Sequence, residues 1–367
     1  MVTKFDDIYK RKRVLITGNT GFKGSWLSLW LNSLGAEVYG VSIDIPTTPS
    51  NFEVSKIKDI VKQSYINILN YKKVHNLINR IRPDFIFHLA AQPIVQKSYK
   101  NPYQTLATNV MGTVNILESL RKINHSCNAI FITSDKCYNN VEWVWGYRET
   151  DELGGKDPYS ASKGAAEIMI KTYANSFFKS ESSNVKIASA RAGNVIGGGD
   201  WADFRIIPDA VKAWSKNKKL IIRSPNATRP WQHVLEPLSG YLRLGQMLAT
   251  DKNICGESFN FGPKADTNMS VERLLLEMAK HWTSVKWKVI MKEKNFKEAG
   301  LLKLNCDKAL YYLNWVPNLN FSETVEMVAE WYKKYYQDTA QNMGEYTLMQ
   351  INQYEEYAIK KGLSWLK

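Results

Sequence analysis

The sequence predicts an α/β fold in which a doubly wound parallel sheet of the Rossmann type is followed by a smaller C-terminal α/β substrate-binding domain. In the first half of the 367-residue chain, short apolar runs alternate with amphipathic helical stretches, as expected of parallel strands that are covered by helices. The first apolar run also leads directly into a glycine-rich turn and a helix, an arrangement that opens many such sheets.

The individual elements follow in chain order. Strands are expected at residues 13–17, 37–42, 85–89, 129–134 and 186–191. Helices are expected at residues 24–34, 102–123 and 160–177, and then, after loops rich in Gly, Pro, Trp and Asn, at 271–281 and 321–336. The tail after residue 337 is also expected to be helical.

The change of pattern near residue 191 indicates two domains. Residues 1–190, with a returning segment at 229–260, are expected to form the Rossmann domain, and residues 191–228 and 261–367 the substrate-binding domain. Because open α/β sheets bind ligands at the carboxyl ends of their strands, we expect the second domain to cover that edge.

The composition is that of a globular protein of the soluble class, with 44% hydrophobic, 12% aromatic and 23% charged residues. The first residues lack the apolar core of a signal peptide, and no run approaches the ~18 apolar residues of a membrane span. We therefore expect a cytoplasmic protein without a membrane partner. The four cysteines are scattered, which indicates neither a disulfide framework nor a metal site.

The formal net charge of +14 raises the question of nucleic-acid binding. The lysines, however, are spread along the whole chain and interleaved with acidic residues, without a basic cluster or a known nucleic-acid motif. No nucleic-acid partner is expected, and the positive charge is assigned to a solvated surface that favours a small anionic substrate.

A dinucleotide site is predicted where the first strand ends. Gly18, Gly21 and Gly24 follow the strand with a GxxGxxG spacing, and Phe22 and Lys23 complete the turn. Glycines allow a tight turn and a close approach of the backbone, while free amides and the positive end of the next helix attract a pyrophosphate. A turn with a purely structural role is the alternative.

The adenosine end of this site favours NAD over NADP. An acidic residue at the end of the second strand commonly binds the ribose, and Asp44 lies slightly beyond that position, which Ser42 occupies. Asp44 is therefore either a ribose ligand or a solvated turn residue. No Arg or Lys stands at this turn to hold a 2′-phosphate, which favours NAD.

Two further segments are candidates for cofactor contacts. Leu89, Ala90 and Ala91 follow the strand at 85–89 and leave room for the dinucleotide against the backbone, and Thr108 lies in the long predicted helix. His88 is interpreted as a buried core histidine, with a catalytic role as the alternative.

Three residues further along the chain predict a catalytic site. Ser134 ends a predicted strand, and Tyr159 and Lys163 lie at the start of a predicted helix. The Tyr-x-x-x-Lys spacing places both side chains on one helical face. A lysine ammonium there can lower the pKa of the tyrosine and hydrogen-bond the nicotinamide ribose, so that the phenol becomes a usable base near neutral pH.

On these residues and on four longer segments, the sequence resembles the extended short-chain dehydrogenase/reductase family and, within it, the nucleotide-sugar 4,6-dehydratases. The segments are TSDKCY at 133–138, EWVWGYRETDELGGKDPYSASKG at 142–164, RAGNVIGGGDW at 191–201 and RPWQHV at 229–234. The resemblance covers nearly the whole chain. It implies NAD as the cofactor and CDP-glucose as the substrate, and the choice of CDP over dTDP or GDP depends on the resemblance alone.

The resemblance implies a dehydration without net oxidation. Tyr159, assisted by Ser134 and Lys163, would take the proton of the C4 hydroxyl while C4 gives a hydride to NAD. The 4-keto sugar would then lose a proton from C5 and water from C6, and the hydride would return to C6. Asp135 is implied as the acid that protonates the C6 hydroxyl.

Lys136 departs from the pattern of the dTDP-glucose dehydratases, in which a glutamate follows the aspartate and serves as the C5 base. A free lysine, with a pKa around 10.4, is a poor base at neutral pH. Lys136 would therefore need a desolvated site or a cationic neighbour such as Lys163 or the oxidised nicotinamide. We expect Lys136 to be the C5 base or to stabilise the enolate, with a surface ion pair as the alternative.

Other implied ligands lie at the two ends of the site. Asn67 and Ile68 stand where relatives often carry an Asp-Ile pair at the adenine, and the lost charge predicts weaker NAD binding. The implied substrate ligands are Gln92, Asn194, Arg205 and Arg229, of which the arginines suit a diphosphate, with surface ion pairs as the alternative. Four tryptophans are candidates either for stacking on the substrate or for the core, namely Trp143, Trp145, Trp201 and Trp231.

Two other functions remain open. Another 4,6-dehydratase or a 4-epimerase of the same family would share the glycine turn with Ser134, Tyr159 and Lys163, although an epimerase needs neither Asp135 nor Lys136. A dinucleotide-binding protein without catalysis is the second alternative.

The resemblance also implies the assembly and the pathway. A homodimer, or a dimer of dimers, would pair through the helices at 104–122 and 160–178. The pathway would be deoxysugar synthesis for bacterial lipopolysaccharide O-antigen.

Overall fold

The computed structural model describes residues 3–264, 267–282, 285–290, 301–338 and 342–366. The strands are β1 Arg13–Thr17, β2 Glu37–Ser42, β3 Lys62–Tyr65, β4 Phe85–His88, β5 Cys127–Ile132, β6 Val185–Ala192, β7 Val195–Ile196, β8 Leu220–Ile222, β9 Thr228–Pro230, β10 Gln232–His233, β11 Ser258–Phe261, β12 Asn268–Ser270 and β13 Trp287–Val289. The α-helices are α1 Phe22–Ser33, α2 Asn51–Val54, α3 Tyr71–Ile81, α4 Val95–Lys100, α5 Pro102–Leu106, α6 Gly112–Arg121, α7 Pro158–Tyr173, α8 Ile206–Trp214, α9 Leu235–Thr250, α10 Val271–Met278, α11 Asp307–Leu313, α12 Phe321–Gln337 and α13 Met343–Lys360.

Seven of the described strands form one parallel sheet in the order β11, β6, β5, β4, β1, β2 and β3. β1 lies between β2 and β4, with Thr17 opposite Val41 on one side and His88 on the other. β2 and β3 are thus added on one side of β1, and β4 and the later strands on the other side. Open α/β sheets bind ligands at such a switch point, where the order of the strands reverses. Short two-stranded ladders follow in the second half of the chain, and the predicted fold class is confirmed.

All five predicted strands occur, and their bounds differ from the predicted ones by one or two residues or not at all. β3 is not predicted, because its sequence KQSY is polar. The strand lies at the edge of the sheet, and its residues are exposed or half-buried. It therefore lacks the apolar run that marks a central strand.

Both long predicted helices contain a π-helical turn. Ala107–Met111 separates α5 from α6, and Ala174–Phe178 continues α7. Each π turn lies within an otherwise helical stretch, so the prediction of a continuous helix does not reveal it. Within the described ranges, no helix is long and apolar enough to cross a lipid bilayer.

The C-terminal helix packs against the N-terminal half of the chain. α13 contacts α1, and Trp30 Nε1 donates to Glu355 Oε1 at 2.9 Å. The ring of Phe5 stacks on Trp365, with ring centres 4.9 Å apart. The predicted helical tail is confirmed, and it packs on the part of the chain assigned to the Rossmann domain; the domain boundaries themselves stay a prediction.

Candidate active site

The turn after β1 forms a cradle in which side chains would not fit. Gly18 has a φ of +75°, and a Cβ atom there would lie 2.8 Å from Ala90 N. A Cβ atom on Gly24 would lie 2.3 Å from the Gly18 carbonyl oxygen. Gly21 precedes α1 without a side-chain cap, and Phe22, the first residue of the helix, is half-buried. The uncapped helix amides and the open backbone fit the pyrophosphate of a dinucleotide.

At the predicted adenosine end of the site, Asn19 forms hydrogen bonds with Ser42 and Gln63. Ser42 Oγ donates to Asn19 Oδ1 at 2.9 Å, and Asn19 Nδ2 donates to Gln63 Oε1 at 2.6 Å. Asp44 is exposed, and its carbonyl oxygen accepts from Thr20 Oγ1 at 2.7 Å. Ser42 therefore holds the end of the strand, and Asp44 lies in the turn beyond it.

Asn67 and Ile68 lie beside the start of α6. Asn67 is exposed, and its Oδ1 accepts from Leu69 N at 2.9 Å. Ile68 is buried, and a Cβ atom on Gly112 would lie 2.4 Å from Ile68 Cδ1. Asn67 thus uses its side-chain oxygen in a local turn, while Ile68 packs on the helix.

The end of β4 adjoins the glycine cradle. Leu89 N donates to the Thr17 carbonyl oxygen at 3.0 Å, and Ala90 N donates to Thr17 Oγ1 at 3.2 Å. The ring nitrogens of His88 contact the hydroxyls of Thr17 and Thr113 at 2.7 and 3.2 Å. Burial lowers the pKa of His88 to about 3, so the ring is neutral. His88 is a hydrogen-bonded core residue, as its sequence context favours.

The π turn after α5 joins the loop of β4 to α7. Asn109 Oδ1 accepts from Gln92 N at 2.7 Å, and Asn109 Nδ2 donates to Ser162 Oγ at 2.8 Å. Thr108 is its neighbour in the turn, and Ala91 is half-buried just before the anchored loop residue. The turn therefore sets the position of α7 relative to the predicted cofactor loop.

Gln92, an implied substrate ligand, uses both ends of its side-chain amide within its own loop. Nε2 donates to Thr105 Oγ1 at 3.0 Å, and Oε1 accepts from Ile94 N at 2.6 Å. These contacts stabilise the loop after β4.

The turn after β5 places a carboxyl group between a hydroxyl and an amide. Ser134 Oγ donates to Asp135 Oδ1 at 2.8 Å, and Asn194 Nδ2 donates to Asp135 Oδ2 at 3.2 Å. Asp135 is 4% exposed. A Cβ atom on Gly193 would lie 1.9 Å from Asp135 Oδ2, so a larger residue at the end of β6 would displace the carboxyl group.

Tyr159 and Lys163 are buried on one face of α7, one turn apart. Asp157 caps this helix, and its Oδ1 accepts from Ser160 N at 2.9 Å. Burial raises the pKa of Tyr159 to about 12, although a hydrogen bond with Ser134 opposes the rise. Burial lowers the pKa of Lys163 to about 8, which leaves the amine charged at neutral pH. The lowered tyrosine pKa that the sequence predicts is not found, because burial has the larger effect.

A buried ion pair lies one helical turn beyond Lys163. Glu167 Oε2 accepts from Arg191 Nη2 at 2.8 Å, and the two side chains are 1% and 3% exposed. Glu167 also accepts from Thr133 Oγ1 at 2.5 Å and from Ser189 Oγ at 2.9 Å. The pair ties α7 to β5 and β6. Sequence reasoning missed it, although Glu167 follows Lys163 at the i+4 spacing that places both on one face.

Lys136 is partly exposed in the same turn as Asp135. Its backbone N–H donates to Ser134 Oγ at 3.2 Å. Its amine makes no hydrogen bond or ion pair to any described residue, so the surface ion pair considered from the sequence is not formed with this part of the chain.

The two arginines implied at the diphosphate have different surroundings. Arg205 Nη1 donates to Asp200 Oδ2 at 2.7 Å, and Arg205 and Tyr159 lie near enough for each to influence the pKa of the other. Arg229, on β9, donates from Nη1 to the Thr228 carbonyl oxygen at 2.7 Å. Arg205 is therefore close to Tyr159, whereas Arg229 lies on a short ladder of the second half.

A cavity of about 370 Å³ extends from the turn after β5. Asp135 and Asn194 line it together with Trp145, Lys264 and Lys303. Amines and an aromatic ring around a cavity that reaches the carboxyl group of Asp135 suit an anionic substrate with a planar base.

The four candidate tryptophans separate by their surroundings. Trp145 is 69% exposed and lines the cavity, so it is available for stacking. Trp143 packs on Tyr147, with ring centres 5.1 Å apart. Trp201 and Trp231 are buried core residues.

Tyr241 is a residue near the site that sequence reasoning missed. It lies fully buried on α9, and its hydroxyl is 3.3 Å from Lys23 Nζ. Burial raises the pKa of Tyr241 well above its ordinary value, and the charges of Asp135 and Tyr159 raise it further. No sequence signal marks Tyr241, because a tyrosine on a mostly buried helix is indistinguishable from core.

Comparison with known proteins identifies relatives along most of the chain. A family model described as GDP-mannose 4,6 dehydratase matches residues 15–328. The chain is 46% identical over 330 residues to CDP-glucose 4,6-dehydratase of Salmonella typhimurium, which covers 89% of this chain and 92% of that protein.

Two solved structures share the fold. The dTDP-glucose 4,6-dehydratase of Bacillus anthracis in complex with NAD superposes with a TM-score of 0.72 at 21% identity, over 88% of this chain and 97% of that one. The UDP-glucuronic acid 4-epimerase of Bacillus cereus in complex with UDP-glucuronic acid and NAD gives a TM-score of 0.74 at 23% identity, over 88% of this chain and all of that one.

Proposed function

The chain belongs to the nucleotide-sugar 4,6-dehydratases of the extended short-chain dehydrogenase/reductase family, and on that premise we propose that it is an NAD-dependent lyase that converts CDP-glucose into CDP-4-keto-6-deoxyglucose. The 46% identity to a CDP-glucose 4,6-dehydratase supports the choice of substrate. The product is a precursor of deoxysugars, for which lipopolysaccharide O-antigen is the proposed destination.

The observation that carries the proposed reaction is the position of Asp135. Its buried carboxyl group lies between Ser134 and Asn194, lines the cavity and belongs to a turn that contacts α7. Oxidation at C4 alone, as in a 4-epimerase, requires Ser134, Tyr159 and Lys163 but no further acid. A carboxyl group here can protonate a leaving hydroxyl, and this favours dehydration over epimerisation.

When bound, NAD would supply the hydride acceptor for C4 and, as NADH, the hydride donor for C6. The cradle of Gly18, Gly21 and Gly24 would hold its pyrophosphate at the start of α1. Lys163 would hydrogen-bond the nicotinamide ribose. These residues bind and orient the cofactor against the catalytic turn.

Tyr159 would remove the proton of the C4 hydroxyl. A phenol with a pKa of about 12 is almost entirely protonated at neutral pH, so its use as a base depends on nearby positive charge that stabilises the phenolate. Lys163, with a pKa of about 8, carries that charge at neutral pH. Ser134, hydrogen-bonded to Asp135, would orient the sugar hydroxyl.

Asp135 and Lys136 would carry out the elimination. Asp135 would protonate the departing C6 hydroxyl, and we propose Lys136 as the base at C5 or the group that stabilises the enolate. Its place in the same short turn as Asp135 supports this role, because C5 and C6 are neighbouring carbons.

The proposed function is tested by supplying the purified protein and NAD with CDP-glucose, dTDP-glucose, GDP-mannose and UDP-glucose separately. The expected result is the loss of one water from CDP-glucose alone, which is measured by mass spectrometry. Loss of water from another donor would overturn the specificity, and an isomer of unchanged mass would identify a 4-epimerase. Asp135→Asn should bind NADH normally yet release little 6-deoxy product.

The role of Lys136 is tested by exchange at C5. In deuterated water, Lys136→Met should incorporate much less deuterium at C5 than the wild-type enzyme, whereas Lys156→Met, which alters an exposed lysine before α7, should exchange normally. Normal exchange in Lys136→Met would assign the base to another group.

We also propose a homodimer, with a dimer of dimers as a further level of assembly, and a cytoplasmic location. Large apolar side chains remain exposed on the helices implied in pairing, namely Leu106, Met111, Ile168 and Phe177, and Tyr103, which directly precedes the first of these helices, is exposed as well. Burying these side chains would favour a four-helix contact between two copies. The four cysteines are unpaired, which suits a reducing compartment.

For the domains, we propose that residues 1–190 with 229–260 bind the cofactor and that residues 191–228 with 261–367 bind the nucleotide sugar. The return of β11 into the large sheet supports the first assignment.

A further inference from the structure

Two segments of the chain pair with each other at the cavity that extends from the turn after β5. Tyr147 N donates to the Lys303 carbonyl oxygen at 2.9 Å, and Asn305 N donates to the Tyr147 carbonyl oxygen at 2.9 Å. A Cβ atom on Gly146 would lie 2.6 Å from Asn305 N, so the two segments are in direct contact. Both contribute to the lining of the cavity, and together they form the cavity wall of residues 144–147 and 303–306.

Asn260 links both segments of the cavity wall to the large sheet. The residue lies on β11 and is fully buried. Its Nδ2 donates to the Tyr147 carbonyl oxygen at 2.8 Å and to the Asn305 carbonyl oxygen at 3.0 Å. An amide nitrogen carries two hydrogens, so both hydrogens of Asn260 are used to hold the wall.

Tyr138 and Arg191 fix the orientation of the Asn260 amide. Asn260 Oδ1 accepts from Tyr138 OH at 2.8 Å, and the Tyr138 hydroxyl accepts from Arg191 Nη1 at 2.8 Å. A guanidinium only donates hydrogen bonds, so the single proton of the Tyr138 hydroxyl is directed at Oδ1, and Nδ2 is directed at the carbonyl oxygens of the wall. Since Tyr138 directly follows the turn Asp135–Cys137, these bonds connect the cavity wall to that turn.

The cavity wall carries side chains that suit a nucleotide. Trp145 is 69% exposed, Lys303 is half-buried, and both line the cavity together with Asp135. An aromatic ring can stack on a planar base, and an amine attracts a diphosphate. The position of the wall relative to Asp135 therefore determines how well a nucleotide sugar can contact both.

We propose that Asn260 is a positioning residue that holds the cavity wall where the nucleotide sugar binds. This inference rests on the proposed function, since it assumes that the cavity receives the CDP-sugar. Asn260 is fully buried, so it acts through Tyr147 and Asn305 rather than by contact with the substrate. Without the amide, the two segments keep their hydrogen bonds to each other but lose two bonds to β11, and the wall shifts away from the nucleotide.

The experiment compares Asn260→Ala with the wild-type protein. KM and kcat are measured with CDP-glucose, the Kd for CDP is measured by calorimetry, and the Kd for NADH is measured by fluorescence. KM and the Kd for CDP should each rise about tenfold, because a lost buried hydrogen-bonding group weakens the position of the wall. Since ground-state binding is what is lost, kcat should stay within about threefold and the Kd for NADH within about twofold.

Gln350→Ala is the matched control. Gln350 is fully buried on α13, and its Nε2 donates to the Met327 carbonyl oxygen at 2.8 Å. This variant also removes a buried amide that binds the backbone, so it should lower the free energy of unfolding but leave KM and the Kd for CDP within about twofold. If Asn260→Ala does not fold, Asn260→Asp keeps the size of the side chain and an acceptor for Tyr138 but cannot donate to the two carbonyl oxygens when ionised, and it should weaken CDP binding in the same way.

Three results would overturn the proposal. An unchanged KM and an unchanged Kd for CDP in a less stable Asn260→Ala would limit Asn260 to a structural role. An equal rise in the Kd for NADH, or an equal rise in KM in Gln350→Ala, would show that the effect is not confined to the wall. A wild-type protein that binds CDP but dehydrates none of the four nucleotide sugars would contradict the proposed function, while the rise in the Kd for CDP in Asn260→Ala would still support the role of Asn260.

Discussion

Gly193 controls the space for the carboxyl group of Asp135. A Cβ atom in Gly193→Ala would lie 1.9 Å from Asp135 Oδ2 and would displace the carboxyl group. Since a shift of about 1 Å in a catalytic group can cost about 100-fold in rate, we expect kcat for dehydration to fall by about that factor with NADH affinity unchanged. Gly262→Ala is the matched control, because its Cβ atom would lie 3.5 Å from the nearest atom in the same cavity. Equal rates in the two variants would contradict the role of Asp135.

The charge of Glu167 supports the protonated form of Lys163. Burial lowers the pKa of Lys163 to about 8, and the Glu167 carboxylate opposes that effect. Glu167→Gln keeps the shape but removes the charge, so the pKa of Lys163 should fall further. The alkaline limb of the kcat profile should then move to lower pH by about one unit.

The matched control for this variant is Ser258→Ala. Ser258 Oγ donates to Glu167 Oε2 at 3.2 Å, so the control removes one contact of the carboxylate without removing its charge. Because Glu167→Gln leaves Arg191 buried without its partner, it should also lower the free energy of unfolding by about 3–5 kcal/mol. An alkaline limb at the same pH in Glu167→Gln and wild type would limit Glu167 to a structural role.

Among the elements, α9 and α13 are joined by a buried carboxyl group. Glu236, at the start of α9, accepts from Asn318 N at 2.9 Å, from Leu319 N at 2.5 Å and from Tyr354 OH on α13 at 3.0 Å. Burial raises the pKa of Glu236 from 4.5 to about 7. Between these pH values Glu236 is protonated in the folded protein and ionised in the unfolded chain. The contribution of this proton to the free energy of unfolding is therefore fully present below pH 4.5 and is lost as the pH rises to about 7.

Glu236→Gln should remove this pH dependence. We expect the variant to match the wild-type free energy of unfolding near pH 4.5 and to exceed it by about 1–3 kcal/mol at pH 8, measured by urea denaturation. Glu272→Gln, which alters an exposed glutamate on α10, should follow the wild type at both pH values. A variant less stable than the wild type at pH 8 would show that the ionised carboxylate is the better hydrogen-bonding partner.

At the scale of the whole molecule, the exposed apolar side chains on α5, α7 and the π turns predict self-association. The double variant Tyr103→Glu and Ile168→Glu should shift the protein from dimer to monomer in light scattering, because it would place charges in a buried contact. Ile359→Glu, on the exposed side of α13, should leave the dimer intact. A monomeric wild-type protein, or a dimeric double variant, would refute pairing through these helices.

Much of this architecture could be predicted because its signals are local. The alternation of apolar runs and helices predicts the five central strands, because a buried strand consists mainly of apolar residues. The glycine turn and the Tyr-x-x-x-Lys spacing likewise place Gly18, Tyr159 and Lys163 from short stretches of chain. β3 could not be predicted in this way, because this edge strand is exposed or half-buried and its sequence is polar.

The remaining features depend on residues that are distant in the chain. Tyr241 comes from α9 to meet Lys23 of α1, and Arg191 of β6 neutralises Glu167 of α7. Neither pairing follows from spacing, because it exists only when several elements pack together. Packing also reverses the direction expected for the pKa of Tyr159, since burial in the assembled site outweighs the effect of charge. The residue types and their order along the chain thus establish the kind of chemistry, while packing establishes which of these groups are charged and which face one another, because desolvation and Coulomb interactions depend on distances in space.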